Sequence, residues 1–322
     1  MRAVALALAC GVLGCSPGVS TDPLPTAPQR ITTVPAAAYA LAVLGEDVYL
    51  GASSTLYRIP IRDGVPVPIA TNVLSGPIVH DADHVYFVTP SSSDTFGALF
   101  TTVRSFDRTT HQVTNLPLPS LGFLAHNFLL AMASDRRLVW ALSSNSLPFR
   151  TVIGTWDGST ADVVADLDEN TIQMVAGRSG VYTNGSKGVR HIPLDGRPSE
   201  LLSGVAAGGV KLVGVDADGL VFIEGQSMFG YISPTERFLY ANKVQVPSCG
   251  GCRSTSLPDG EMAYVAVTAP GGSMLRVDLT RSTTSVFATT GGEQPIAMDV
   301  DRLRVYWVTN TASVATVYWR GK

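Results

Sequence analysis

The chain has 322 residues, 45% of them hydrophobic, with 31 glycines, 20 prolines and only 15% charged residues. That length can bury a large core, and the Gly and Pro content with recurrent short Val and Thr runs favours many short strands joined by tight turns over a helical bundle. A formal charge of -3 supplies no basic footprint, so nucleic acid is not an expected partner.

The chain opens with "MRAVALALACGVLGC". Arg2 is a minimal positive start, and the apolar stretch from Ala3 to Leu13 is too short to span a bilayer as a permanent helix. Residues 1–14 therefore read as an export signal. Its end, Val12-Leu13-Gly14-Cys15, resembles the lipobox of bacterial lipoproteins, and Ala7-Leu8-Ala9-Cys10 matches less well because it leaves a shorter apolar run. The resemblance implies that Cys15 is lipidated, with acyl chains of the palmitate type, and becomes the new N-terminus. The alternative is an ordinary signal peptide that contains cysteines. Ser16 in place of Asp implies, by resemblance to the sorting of Gram-negative lipoproteins, the outer membrane of a bacterial cell envelope. The stretch that follows, "SPGVSTDPLPTAP", is too rich in Pro, Ser and Thr to pack a core, so residues 15–28 form a semi-extended tether. No second long apolar segment follows, and nothing else is expected to span the membrane.

From residue 29 to residue 322 one pattern recurs: a small apolar strand, a turn, a strand with a central aromatic, a loop, a third strand and a final strand. The aromatic falls at Tyr49, Tyr86, Trp140, Tyr182, Phe222, Tyr264 and Tyr306, with spacings of 37, 54, 42, 40, 42 and 42 residues. A mean near 43 is the period of four-stranded propeller blades. Third strands repeat as "LYRIPIRDG" and "VRHIPLDG", whose Asp-Gly suits a tight hairpin because both central residues of such a turn need positive φ.

The seventh unit shows only three strands, "PIAMDV", "RVYWVT" and "ATVYWR", and "QRITTVP" at 29–35 is expected to supply its fourth. The fold expected is therefore all-β, a seven-bladed β-propeller closed by an N-terminal strand, with six or eight blades as alternatives because the 54-residue interval has room for another hairpin. The sixth unit is the weakest, since its first strand must come from "RSTSLPDG", which is polar and contains Pro258. With Tyr306-Trp307-Val308-Thr309 where a YWTD motif would sit, residues 38–322 resemble the YWTD-type and TolB-like propellers. The motif Asp is missing, so this resemblance implies a fold and little about activity.

Cys249 and Cys252, in "PSCGGCRS", form a C-x-x-C pair, which in an exported protein reads as a disulfide pinning the link between the fifth and sixth units. Redox chemistry would need a helix N-terminus beside the thiol, and zinc would need two more ligands. His80 and His84 flank Asp81 and Asp83, yet the same stretch aligns with "VDADGLVF" and "MDVDRLRVYW", where the histidines are replaced. The acids therefore belong to a recurrent hairpin turn, and no metal or cofactor is expected. His191 aligns with Arg58 on a third strand.

No nucleophile elbow, P-loop or zinc-protease motif occurs in the sequence. Loops between second and third strands, with those linking the units, are expected to crowd one end of the ring as a Ser-, Asn- and Gly-rich ligand face. Its candidates are Ser92, Asp94, Asn145, Asn184, Lys187, Glu224, Gln226 and Asn310, against the plainer reading that polar residues suit turns. The leading function is a membrane-anchored, monomeric binding or scaffold module for a protein, peptide or glycan. A propeller hydrolase or lyase with its site at the channel mouth is the first alternative, and Asp94, Lys187 and Glu224 are the few charged groups available to it. A subunit of an outer-membrane assembly machine is the second.

Overall fold

The computed structural model describes residues 24–93, 99–119, 127–133, 135–144, 147–177, 180–203, 210–215, 220–224, 228–232, 241–245, 256–259, 262–267, 272–278, 281 and 283–322. The regular structure among them is strand throughout. A first strand, β1 (Gln29–Val34), precedes blade 1, which is β2 (Ala38–Leu44), β3 (Asp47–Ala52), β4 (Thr55–Pro60) and β5 (Val67–Thr71). Blade 2 is β6 (Val79–His80), β7 (His84–Ser93), β8 (Leu99–Asp107) and β9 (Val113–Asn115). Blade 3 is β10 (Asn127–Met132), β11 (Leu138–Ser143), β12 (Thr151–Trp156) and β13 (Ala161–Leu167). Blade 4 is β14 (Thr171–Ala176), β15 (Val181–Gly185), β16 (Gly188–Ile192) and β17 (Glu200–Ser203). Blade 5 is β18 (Val210–Val215), β19 (Leu220–Glu224), β20 (Met228–Ile232) and β21 (Ala241–Gln245). Blade 6 is β22 (Ser256–Asp259), β23 (Met262–Val267), β24 (Ser273–Asp278) and β25 (Thr283–Thr289). The last strands are β26 (Pro295–Val300), β27 (Arg304–Thr311) and β28 (Val314–Gly321).

Among the described residues six sheets are each a continuous antiparallel meander of four consecutive strands, from β2–β5 to β22–β25, and the remaining four-stranded sheet is of a different kind. It takes β26, β27 and β28 from the end of the chain and β1 from the beginning, in the order β1-β28-β27-β26. The first strands β2, β6, β10, β14, β18, β22 and β26 neighbour one another in turn, and β26 returns to β2, so the sheets close into a ring. The long interval after Tyr86 is occupied by an extended β7–β8 hairpin, in which His84 pairs with Asp107 and Ser93 with Leu99, and it holds no further sheet among the described residues. Pro258 lies in β22 opposite Ala263. A proline is tolerated there because the innermost strand of a blade has one unpaired edge.

The marker aromatics all fall on second strands, each opposite a fixed register position of the third: Tyr49 faces Arg58, Tyr182 faces His191, Tyr264 faces Arg276 and Tyr306 faces Trp319. They build the core between blades. Tyr306 packs with Val48, Leu50 and Ile59 of blade 1, while Tyr264 packs with Val305 and Trp307. Trp140 is fully buried and pairs with Gly154, where a side chain would enter the indole ring.

Two ends of the ring are distinguished by their turns. At one end lie the turns joining first to second and third to fourth strands; at the other lie the second-to-third turns and the links between blades. The chain enters at the first of these, because Gln29 pairs with Trp319 and the Gly321 N–H donates to the Pro25 carbonyl at 3.2 Å. We call it the entry end and the opposite one the loop end.

Candidate functional site

At the loop end the sequence-predicted residues divide. Cys15, Asp94, Asn145, Gln226, Cys249 and Cys252 lie outside the described residues. Ser92 pairs with Phe100 in the β7–β8 hairpin, and Glu224 ends β19 opposite Met228. Asn184 is fully buried, with its amide 3.5 Å from Gln173, whose Oε1 accepts the Leu212 N–H of the next blade at 3.1 Å. Lys187 sits on the surface in an ion pair with Asp168 at 2.6 Å.

Asn310 is engaged in closing the ring. Its Oδ1 accepts the Ala38 N–H and its Nδ2 donates to the Ala38 carbonyl, both at 3.0 Å, so one amide satisfies both backbone groups of the first residue of β2. An unpaired pair of backbone groups at a strand edge is costly when buried, which explains an Asn at this position.

Between blades 3 and 4 the same end holds a buried polar network. Ser143 and Thr151 share a hydroxyl contact at 2.7 Å, both accept the Thr171 N–H at 3.1 Å, and Thr151 donates to the Glu169 carbonyl. The Glu169 side chain, almost wholly buried, accepts from Arg190 Nε at 3.0 Å. Short hydroxyl side chains here tie one blade to the first residue of the next, a task sequence spacing could not reveal.

Charged groups concentrate instead at the entry end of blades 1 and 2 and of the sheet that joins β1 to β26–β28. Asp81 Oδ1 accepts the Asp83 and His84 N–H groups at 2.8 and 2.7 Å, and its Oδ2 accepts the Tyr86 hydroxyl at 2.7 Å. Asp301 repeats the arrangement with the N–H groups of Leu303 and Arg304 and the Tyr306 hydroxyl. The turn reading of these acids is thereby realised atom by atom, with a tyrosine five residues on as part of the motif. Burial works to raise the Asp81 carboxyl, but the Tyr86 hydroxyl and the two backbone donors outweigh it and hold the group below its ordinary value. His84 lies 3.4 Å from Asp81.

Asp47 is buried and meets Arg58 at 3.0 Å and Arg108 of blade 2 at 3.8 Å, while Arg108 also donates to the Ala82 carbonyl. Across the channel rim Asp299 of β26 accepts the Val43 N–H of blade 1 at 2.6 Å and lies 3.8 Å from His80 of blade 2. Desolvation raises its carboxyl above the usual range, opposed by His80 and by the Val43 and Val300 N–H groups. Three blades thus meet on one carboxylate. Among the described residues no group of three or more His, Cys, Asp or Glu side chains is placed to hold a metal ion. His191 stacks on Tyr182 at 4.7 Å.

No protein-family model matches the chain, and no curated protein matches it in sequence. Solved structures match it in fold. The AfRom2 CNH domain aligns with a TM-score of 0.61 at 9% identity, over 92% of this chain and 99% of that one. The β-propeller domain of the Trilobed protease from Pyrococcus furiosus, described as having an open velcro topology, aligns with a TM-score of 0.64 at 13% identity, over 89% and 96%. A puromycin-hydrolyzing peptidase of Mycobacterium tuberculosis aligns with a TM-score of 0.52 at 14% identity, over 84% of this chain and 50% of that one. At such identities the likeness shows the β-propeller fold alone.

Proposed function

We propose that the chain is a lipid-anchored binding module of a bacterial cell envelope, held to the membrane through Cys15 and presenting the loop end of its propeller to a protein, peptide or glycan. The observation that carries this is the direction of β1. It starts at the entry end, with Gln29 beside Trp319, only fourteen residues after Cys15. A tether of that length, attached at the entry end, keeps the entry end toward the membrane and the loop end toward solvent. At the entry end, Asp47, Asp81, Asp299 and Asp301 are already engaged with backbone, tyrosine and arginine partners that hold turns and blades together. That use of charge favours recognition over acid–base catalysis. A disulfide between Cys249 and Cys252 belongs to the same proposal, as the fastening of an exported protein.

The test has two parts. Cys15→Ser releases the protein from membranes, since its attachment rests on acyl chains rather than on a spanning helix. Crosslinking on intact cells through residues of the loop end then captures a partner in the wild type. A Cys15→Ser protein that still fractionates with membrane contradicts the anchor, and crosslinking confined to the entry end contradicts the assignment of the binding face.

A further inference from the structure

At the entry end of blade 6 a cleft of about 250 Å³ is lined by Met262, Arg276, Asp278, Arg281, Thr283 and Ser285. The strand register explains its composition. Met262, Asp278 and Thr283 are cross-strand partners in one row, and Tyr264, Arg276 and Ser285 are partners in the next, so these side chains share one face of the sheet. That face looks toward β27 and β28, where Tyr264 packs on Val305 and Trp307 and where Arg320 lies 4.6 Å over the Phe287 ring. Burial and the Asp259 carboxylate raise the Tyr264 hydroxyl above its ordinary value, and Arg276 and Arg320 oppose them as nearby positive charges.

Counter-charge in the cleft is incomplete. Asp278 accepts the Arg281 N–H at 2.7 Å and lies 3.8 Å from its guanidinium, and the neighbouring Asp259 is held by Lys322 at 2.8 Å. Arg276 has no carboxylate partner among the described residues. The lining therefore carries an excess of positive charge together with two hydroxyls, arriving from two adjacent strands. A carboxylate offers two oxygens in one plane, whereas a phosphate group offers three terminal oxygens in a tetrahedral spread, which suits two guanidinium forks and two hydroxyls lining one cleft.

We infer that this cleft binds a phosphate group, with Arg276 and Arg281 as its charged donors and Thr283 and Ser285 as its hydroxyl donors. The group comes either from a soluble phosphate or from a lipid headgroup, and the inference does not depend on the anchor at Cys15. The experiment uses the full-length chain carrying Cys15→Ser, titrated with inorganic phosphate by calorimetry and mixed with vesicles of phosphatidylcholine with or without phosphatidylglycerol. Arg276→Gln and Arg281→Gln are compared with it. Arg281 is 81% exposed, so its replacement leaves folding untouched. Loss of one charge-assisted bond weakens binding about tenfold. Phosphate binding that weakens in both variants supports the site with a soluble ligand. Sedimentation with phosphatidylglycerol vesicles that is lost in both variants supports it with a headgroup. Absence of both, or binding equal in wild type and variants, overturns it.

Discussion

Deleting residues 29–35 lowers the melting temperature sharply, whereas deleting residues 16–23 leaves it nearly unchanged. The first deletion removes β1 and with it the pairing of Gln29, Arg30, Thr32, Thr33 and Val34 with Trp319, Tyr318, Val317, Thr316 and Ala315. Val34 is buried in the cluster that also contains Tyr306, Val308 and Val317, with Ile31 packed against it. Ladder hydrogen bonds and apolar burial together put the loss at about 4–6 kcal/mol, from roughly 1 kcal/mol per net bond and 1.5–3 kcal/mol per buried side chain. The variant also aggregates, because β28 then presents an unpaired edge rich in Val, Tyr and Trp. The second deletion takes away a Pro- and Ser-rich segment. Equal melting temperatures for the two would show that the chain's beginning does not close the ring.

Gly154→Ala is the second large effect. Gly154 pairs with Trp140 across β11 and β12, and a Cβ there meets the indole ring and the Asp162 carbonyl oxygen. Trp140 is fully buried between blade 2 and blade 3, packed with Tyr86, Val88 and Val103, so the ring has nowhere to retreat. Overpacking of this kind costs about 3 kcal/mol, or roughly 5–10 °C in thermal unfolding. Gly158→Ala, in the turn that follows and facing open space, is a control for steric effects, since it pays only for its positive φ of 101°. Should the two variants melt together, the packing account of Gly154 fails.

Much of the architecture was legible because it is local. The aromatic of each second strand could be read from spacing, since Tyr49, Tyr86, Trp140, Tyr182, Phe222, Tyr264 and Tyr306 mark the same register in their sheets. The Asp81 and Asp301 turns were legible too, because an Asp bonding its own backbone two and three residues on needs no distant partner. Pairing of "QRITTVP" with the last strand followed from an unpartnered edge.

The candidate site was less legible, and the reason is the distance along the chain over which its groups meet. Asn310 reads as a polar loop residue, but it clamps Ala38, 272 residues away. Asp299 looks like one more turn acid, yet it reaches Val43 and His80 across two blade boundaries. Asn184 lies where a surface turn was expected and is buried, because its side chain shares an inward face with Gln173. Spacing fixes which strand a residue is on, while the neighbouring blade decides what its side chain meets. The cleft of Arg276 and Arg281 escaped sequence reading for the same reason, since the rows that form it are set by strand register.

Which end of the propeller faces the membrane is the most direct test of the proposed anchor and binding face. Single cysteines at Arg302, in the first-to-second turn of the last blade, and at Ser313, in its second-to-third turn, are both exposed and mark the entry and loop ends. With protein carrying the proposed lipid at Cys15 in vesicles, energy transfer from a dye at each position to an acceptor in the bilayer measures the two heights. Stronger transfer from position 302 than from position 313 is the expected result. Equal transfer from both, or stronger transfer from 313, would contradict an anchor that holds the entry end to the membrane and leaves the loop end free to bind.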